Sequence, residues 1–163
     1  MLQGVVQPAD PSEQLRLAQL CEQYKKRYVA AARLYGDAFA AKPELANDPG
    51  TGQRYHAACS AALAAAGQGA DAADLPDKTC ARLRRQALEW LQGDLALWAR
   101  QADSPDAGVR QAVAQTLRRW QTDSDLAGLR EPDAIATLPA DEQQACQQLW
   151  ADVETLLKRA QEK

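Results

Sequence analysis

The chain has one histidine, one phenylalanine, few aromatics of any kind and no C-x-x-C pair among its four cysteines. Each shortage excludes something. A zinc site read from sequence needs thiolates and imidazoles at short spacing, and Cys21, Cys59, Cys80 and Cys146 are spread along the chain. No metal and no cofactor are therefore expected, and the cysteines read as reduced, mostly buried thiols of a cytoplasmic protein. No apolar run approaches the roughly 20 residues of a membrane span, so no membrane partner is expected. The opening MLQGVVQPAD lacks the charged start and long apolar core of a signal peptide. A formal net charge of -3 gives no general drive towards nucleic acid.

What is present is alanine, the strongest helix former, with few β-branched residues, and this favours an all-α fold. The stretch Leu17 to Pro43 reads as an antiparallel helix pair around the basic break Lys25-Lys26-Arg27. Its first apolar stripe is Leu17, Leu20, Cys21 and Tyr24. The second is Tyr28, Ala31, Tyr35 and Ala38, with Ala32 and Phe39 beside it.

This pair resembles the tetratricopeptide repeat, a helix-turn-helix with an L-G pair, then A-x3-F, then proline. Leu17-Ala18 resembles the L-G pair, Ala31 and Tyr35 match A-x3-F, and Pro43 falls at the proline. Gln14 stands at the repeat's tryptophan and Cys21 at its tyrosine. A second, divergent copy begins near Thr51, with Ala57-Ala58 at the L-G position and an insertion over residues 67–78. Its second helix runs from about Thr79 to Gln101. Leu88, Leu91, Leu95 and Trp98 form its stripe, beside Leu83, Ala87 and Trp90. Arg82, Arg84 and Arg85 are expected on its outer face. Ser104-Pro105 reads as cap and first residue of a further helix that buries Val109, Ala112, Val113, Leu117 and Trp120. Residues 121–138 are mixed, with single turns near 126–129 and 133–137. The last helix runs from about Pro139 to Ala160 on the stripe Cys146, Leu149, Trp150, Val153, Leu156, Leu157 and Ala160.

The expected architecture is a tetratricopeptide-like stack of antiparallel helix pairs with a C-terminal capping helix. Residues 1–9 read as a flexible tail and 10–161 as a single helical domain. Repeat one covers about 11–45, repeat two about 51–101, and the capping helices about 104–161.

Four segments in this order, LAQLCEQYKKRYVAAARLYGDAFAAKPEL, RYHAACSAALAAAGQG, ARLRRQALEWLQGDLALW and LWADVETLLKRA, look like the C-terminal segment of large bacterial serine/threonine kinases with tetratricopeptide repeats. In that family the kinase domain lies upstream. This chain has no glycine-rich phosphate loop, no H-R-D loop and no D-F-G. The resemblance implies a non-enzymatic docking or scaffolding module of a larger signalling protein.

In such a stack the first helices line a concave surface that receives a protein or peptide. By repeat position its lining is Leu15, Arg16, Gln19 and Glu22, then Tyr55, His56, Cys59 and Leu63. A permanent charge at Arg16, a titratable donor at His56 and the Tyr55 ring suit an acidic or phosphorylated segment. Two other readings stand beside this one. The helices could pack on an adjacent kinase domain and regulate it, or Cys59 and His56, three residues apart on one helix, could form a nucleophile pair.

Overall fold

The computed structural model describes residues 10–48 and 51–162; the tail expected over 1–9 lies outside them. Those residues form eight α-helices joined by turns, with no strand among them.

The helix α1 spans Pro11–Gln23. Asp10 caps it by accepting from Ser12 N at 3.2 Å, and Pro11 occupies the first turn, where its missing N–H costs nothing. After a short turn α2 runs over Tyr28–Ala41 and stops before Pro43, which opens a single 3-10 turn. Then come α3 over Gln53–Ala65 and the long α4 over Asp77–Ala102. Along this part each helix packs on the next: α1 on α2, α2 on α3, α3 on α4. Alanines make the close approaches possible. Ala18, Ala31, Ala38, Ala57, Ala58, Ala61, Ala64 and Ala87 are all fully buried. The bulk beside them comes from Tyr35, Phe39 and Trp90, with Phe39 meeting Trp90 edge-on at 5.8 Å.

The broad apolar face of α4 has neighbours on two sides, α3 on one and α5 and α8 on the other. Here α5 spans Ala107–Thr122 and α8 Ala140–Gln161. Between them lie a 3-10 turn over Ser124–Leu126 and two short helices, α6 over Ala127–Arg130 and α7 over Pro132–Ala136. The stripe of α8 is buried at Cys146, Leu149, Val153, Leu156, Leu157 and Ala160. Trp150 lies at its margin, donates from Nε1 to Leu129 O at 2.9 Å, and carries Arg130 over its ring.

Four local expectations are corrected. In α1 the buried residues are Leu15 and Ala18. Leu17, Leu20 and Tyr24 lie nearly opposite Leu15 at 3.6 residues per turn. Leu20 is 42% and Tyr24 77% exposed. The cap of α5 is Asp106, which accepts from Gly108 N at 2.8 Å; Ser104 instead receives Asp106 N. In α5, Ala112 is exposed and Ala114 is buried in its place. On α4, Arg82 and Arg85 face solvent, but Arg84 turns inward to Glu142.

The inserted segment 67–78 docks on the turn between α1 and α2. Ala70 N donates to Lys26 O at 2.8 Å. Gly69 has φ +97, and a Cβ there would lie 2.5 Å from Lys26 O and 2.6 Å from the Tyr28 ring, so only glycine fits. Asp71 then accepts Val29 N at 3.1 Å and Ala30 N at 3.0 Å. Arg27, at the local cap position of α2, makes no side-chain cap. A residue more than 40 positions away satisfies two of the open N–H groups of that helix.

Candidate functional site

Two pairs of side chains join α1 to α3. Gln19 Nε2 donates to Gln53 Oε1 at 3.2 Å, and Glu22 Oε1 lies 3.4 Å from His56 Nδ1. Each pair advances three residues along both helices, so at this seam α1 and α3 run parallel, side by side. Glu22 is held from below as well, because its Oε2 accepts the Tyr35 hydroxyl at 3.0 Å. The hydrogen-bonded Glu22 carboxylate pushes the His56 pKa up. Burial and the same carboxylate keep Tyr35 protonated.

Next to His56 on α3, Tyr55 stacks on Trp120 with ring centroids 5.4 Å apart. Its hydroxyl donates to Asp123 Oδ2 at 2.5 Å. Asp123 caps the 3-10 turn after α5, its Oδ1 accepting from Asp125 N at 2.9 Å. Below Tyr55 sits Cys59, 2% exposed. The Cys59 sulfur and carboxylate oxygens of Asp123 and Asp125 all lie within 4.8 Å of one another. Burial raises the Cys59 thiol pKa well above its ordinary value, and Asp123 and Asp125 raise it further. Burial, then Asp123 and Glu22, also raise Asp125.

The eight residues expected to line one concave surface are thus distributed. Glu22, Tyr55, His56 and Cys59 converge with Asp123 and Asp125. Gln19 joins the seam next door. Leu15 and Cys59 are buried, so neither offers an open surface, and Leu63 is half-buried. Arg16 is exposed and has no side-chain partner among the described residues. The face of α3 that carries Tyr55 and Cys59 is covered by the chain's own turn over 123–126.

Asp123 and Asp125 come from the mixed segment 121–138. The signal available for them was the Asp-Ser-Asp run just past a helix end, which marks a cap and nothing more. No family model, curated protein or solved structure matches this chain.

Proposed function

We propose that this chain is a non-enzymatic protein-interaction module of the tetratricopeptide kind, a docking segment of a larger bacterial signalling protein. The side-by-side α1 and α3 and the successive helix pairs support that reading, as does the likeness of the four segments to the C-terminal part of repeat-bearing kinases. The site chemistry weighs against the Cys59–His56 enzyme. A nucleophilic cysteine needs a lowered pKa or an adjacent base. Cys59 is raised by burial and by carboxylates, and His56 is turned to Glu22.

The observation that carries the reading is the outer face of α1. Leu20 and Tyr24 are the large hydrophobics left exposed among the described residues, and Leu17 shares their side of the helix. Lys25, Lys26 and Arg27 follow at one end and Arg16 flanks the stripe; all four are exposed. An apolar stripe bordered by cations fits an amphipathic partner helix whose polar face is acidic.

Two designed amphipathic peptides with the same leucine face, one with an acidic and one with a basic polar face, test this against the full chain by fluorescence anisotropy. The acidic peptide is expected to bind, more weakly as salt rises, and to lose affinity for Leu20→Glu/Tyr24→Glu. Equal binding of both peptides, or none, overturns the reading. A chain that sediments as a dimer and becomes monomeric in the double variant assigns the face to a second copy instead.

A further inference from the structure

Away from that face, the ligand-bearing side chains gather at the turn after α5. Cys59 comes from the middle of α3, and Asp123 and Asp125 from the turn that covers it, yet their ligand atoms share a region 4.8 Å across. Cys59 belongs to the buried core with Ala58, Ala62 and Trp120. A cysteine that merely fills space needs apolar neighbours alone. The sulfur of Cys59 also faces two carboxylates, with Glu22 near enough to add to their field. The Tyr55 hydroxyl reaches the sulfur, but its single proton is shared with Asp123 Oδ2. A side chain that is 2% exposed thus points its sulfur at two acids.

Charge leads to the same conclusion. Asp123, Asp125 and Glu22 bring three carboxylates together. The cations that reach them are Lys26, which is exposed, and His56, which is 48% exposed and charged only when protonated. The centre is short of positive charge.

We propose that Cys59, Asp123 and Asp125 bind a divalent transition-metal cation of the zinc class. A thiolate with two carboxylates is a borderline donor set, whereas calcium and magnesium take oxygen ligands. Ligands at about 2.0–2.3 Å from a tetrahedral ion lie roughly 3.5 Å apart, so the present spacing closes by side-chain adjustment. Tyr55, on Asp123 Oδ2, and the Asp125 N–H, on Asp123 Oδ1, hold that carboxylate from outside. A fourth position is left for water or an incoming donor. On binding, the Cys59 S–H bond breaks and an S–metal bond forms. The proton passes to solvent, and no oxidation state changes.

The test uses the full chain, stripped with chelator and titrated with zinc and cobalt(II). One ion per chain is expected. Cobalt should give the near-ultraviolet thiolate charge-transfer band and visible bands of a four-coordinate ion. Cys59→Ser should abolish the charge-transfer band. Asp125→Asn should weaken zinc by at least about tenfold, and Tyr55→Phe, an outer partner, by about 10–100-fold. Cys80→Ser should change nothing. Circular dichroism shows which variants fold; if Cys59→Ser does not, Asp125→Asn carries the test, since it removes a ligand at a partly exposed turn. Absence of the band in the parent, its survival in Cys59→Ser, or unchanged zinc affinity in a folded Asp125→Asn overturns the site.

Discussion

Arg84 on α4 and Glu142 on α8, 58 residues apart, form a two-pronged ion pair: Nε to Oε1 at 2.8 Å and Nη2 to Oε2 at 3.0 Å. Both side chains are only 16% exposed, so this pair is less screened than those on the surface. The planar fork of arginine matches the carboxylate in a way lysine does not. Arg84→Ala is expected to cost about 1–3 kcal/mol and Arg84→Lys most of that, read from denaturant midpoints. A double-mutant cycle with Glu142→Gln should return a clear coupling energy. Independent, additive effects would show that the pair does not clamp α8 to α4.

Asp94 gives a pH prediction. It is 2% exposed in the middle of α4, and its Oδ1 makes no hydrogen bond. Burial pushes its pKa up to about 6, against a partial opposing pull from Arg54. A carboxyl group raised in the folded state holds its proton more tightly there than in the unfolded chain. Its contribution to stability is then fully present below the ordinary pKa, is lost as pH rises from about 4 to 6, and becomes a cost above that. Asp94→Asn should stabilise the protein by about 2–3 kcal/mol at pH 7.5 and by little near pH 4. Thermal melts at both values check this; equal shifts at the two pH values would count against it.

Trp120 is 1% exposed and stacks on Tyr55, which in turn holds Asp123. Trp120→Ala should cost about 3–5 kcal/mol, mainly as an unfilled cavity. Trp150→Ala should cost less, because Trp150 is only half-buried at the edge of the core, with Arg130 over its ring. Chemical denaturation ranks the two, and the reverse order would contradict the burial described here.

Gly69→Ala combines a positive φ with a collision against the Lys26 carbonyl, and a loss of more than about 1 kcal/mol is expected. Asp71→Ala should cost about 1 kcal/mol, the usual worth of a helix cap. If the cap acts where it is placed, hydrogen exchange quickens at Val29 and Ala30 and not in α8. A uniform change across the chain would mean Asp71 acts in some other way.

The helices of this fold are legible in the sequence because their stripes contain large apolar residues at helical spacing. Leu149, Val153, Leu156 and Leu157 in α8 could face only inward. In α1 the same rule misleads. Leu17, Leu20 and Tyr24 form a true periodic stripe, but Leu15 and the small Ala18 face the neighbouring helix, and alanine weighs little in such patterns. The Glu22–His56 contact departs from the repeat alignment, which sets Leu17-Ala18 against Ala57-Ala58 and so Arg16 against His56; the seam instead pairs Gln19 with Gln53 and Glu22 with His56. Asp123 and Asp125 were not legible either. Their proximity to Cys59 depends on how α5 ends and on a turn whose conformation no local periodicity encodes.

The cap that Asp71 supplies to α2 also sets an order on synthesis. Val29 and Ala30 are synthesised 42 and 41 residues before Asp71. At about 5–20 residues per second, the first turn of α2 waits roughly 2–8 s for its acceptors. During that interval α1 and α2 form a hairpin with a frayed inner end. The Gly69–Asp71 latch closes it after the whole of α3 has been added. A nascent chain stalled before Asp71 should therefore expose Lys26–Ala30 to protease, and one stalled far enough past it to release the latch from the exit tunnel should protect them.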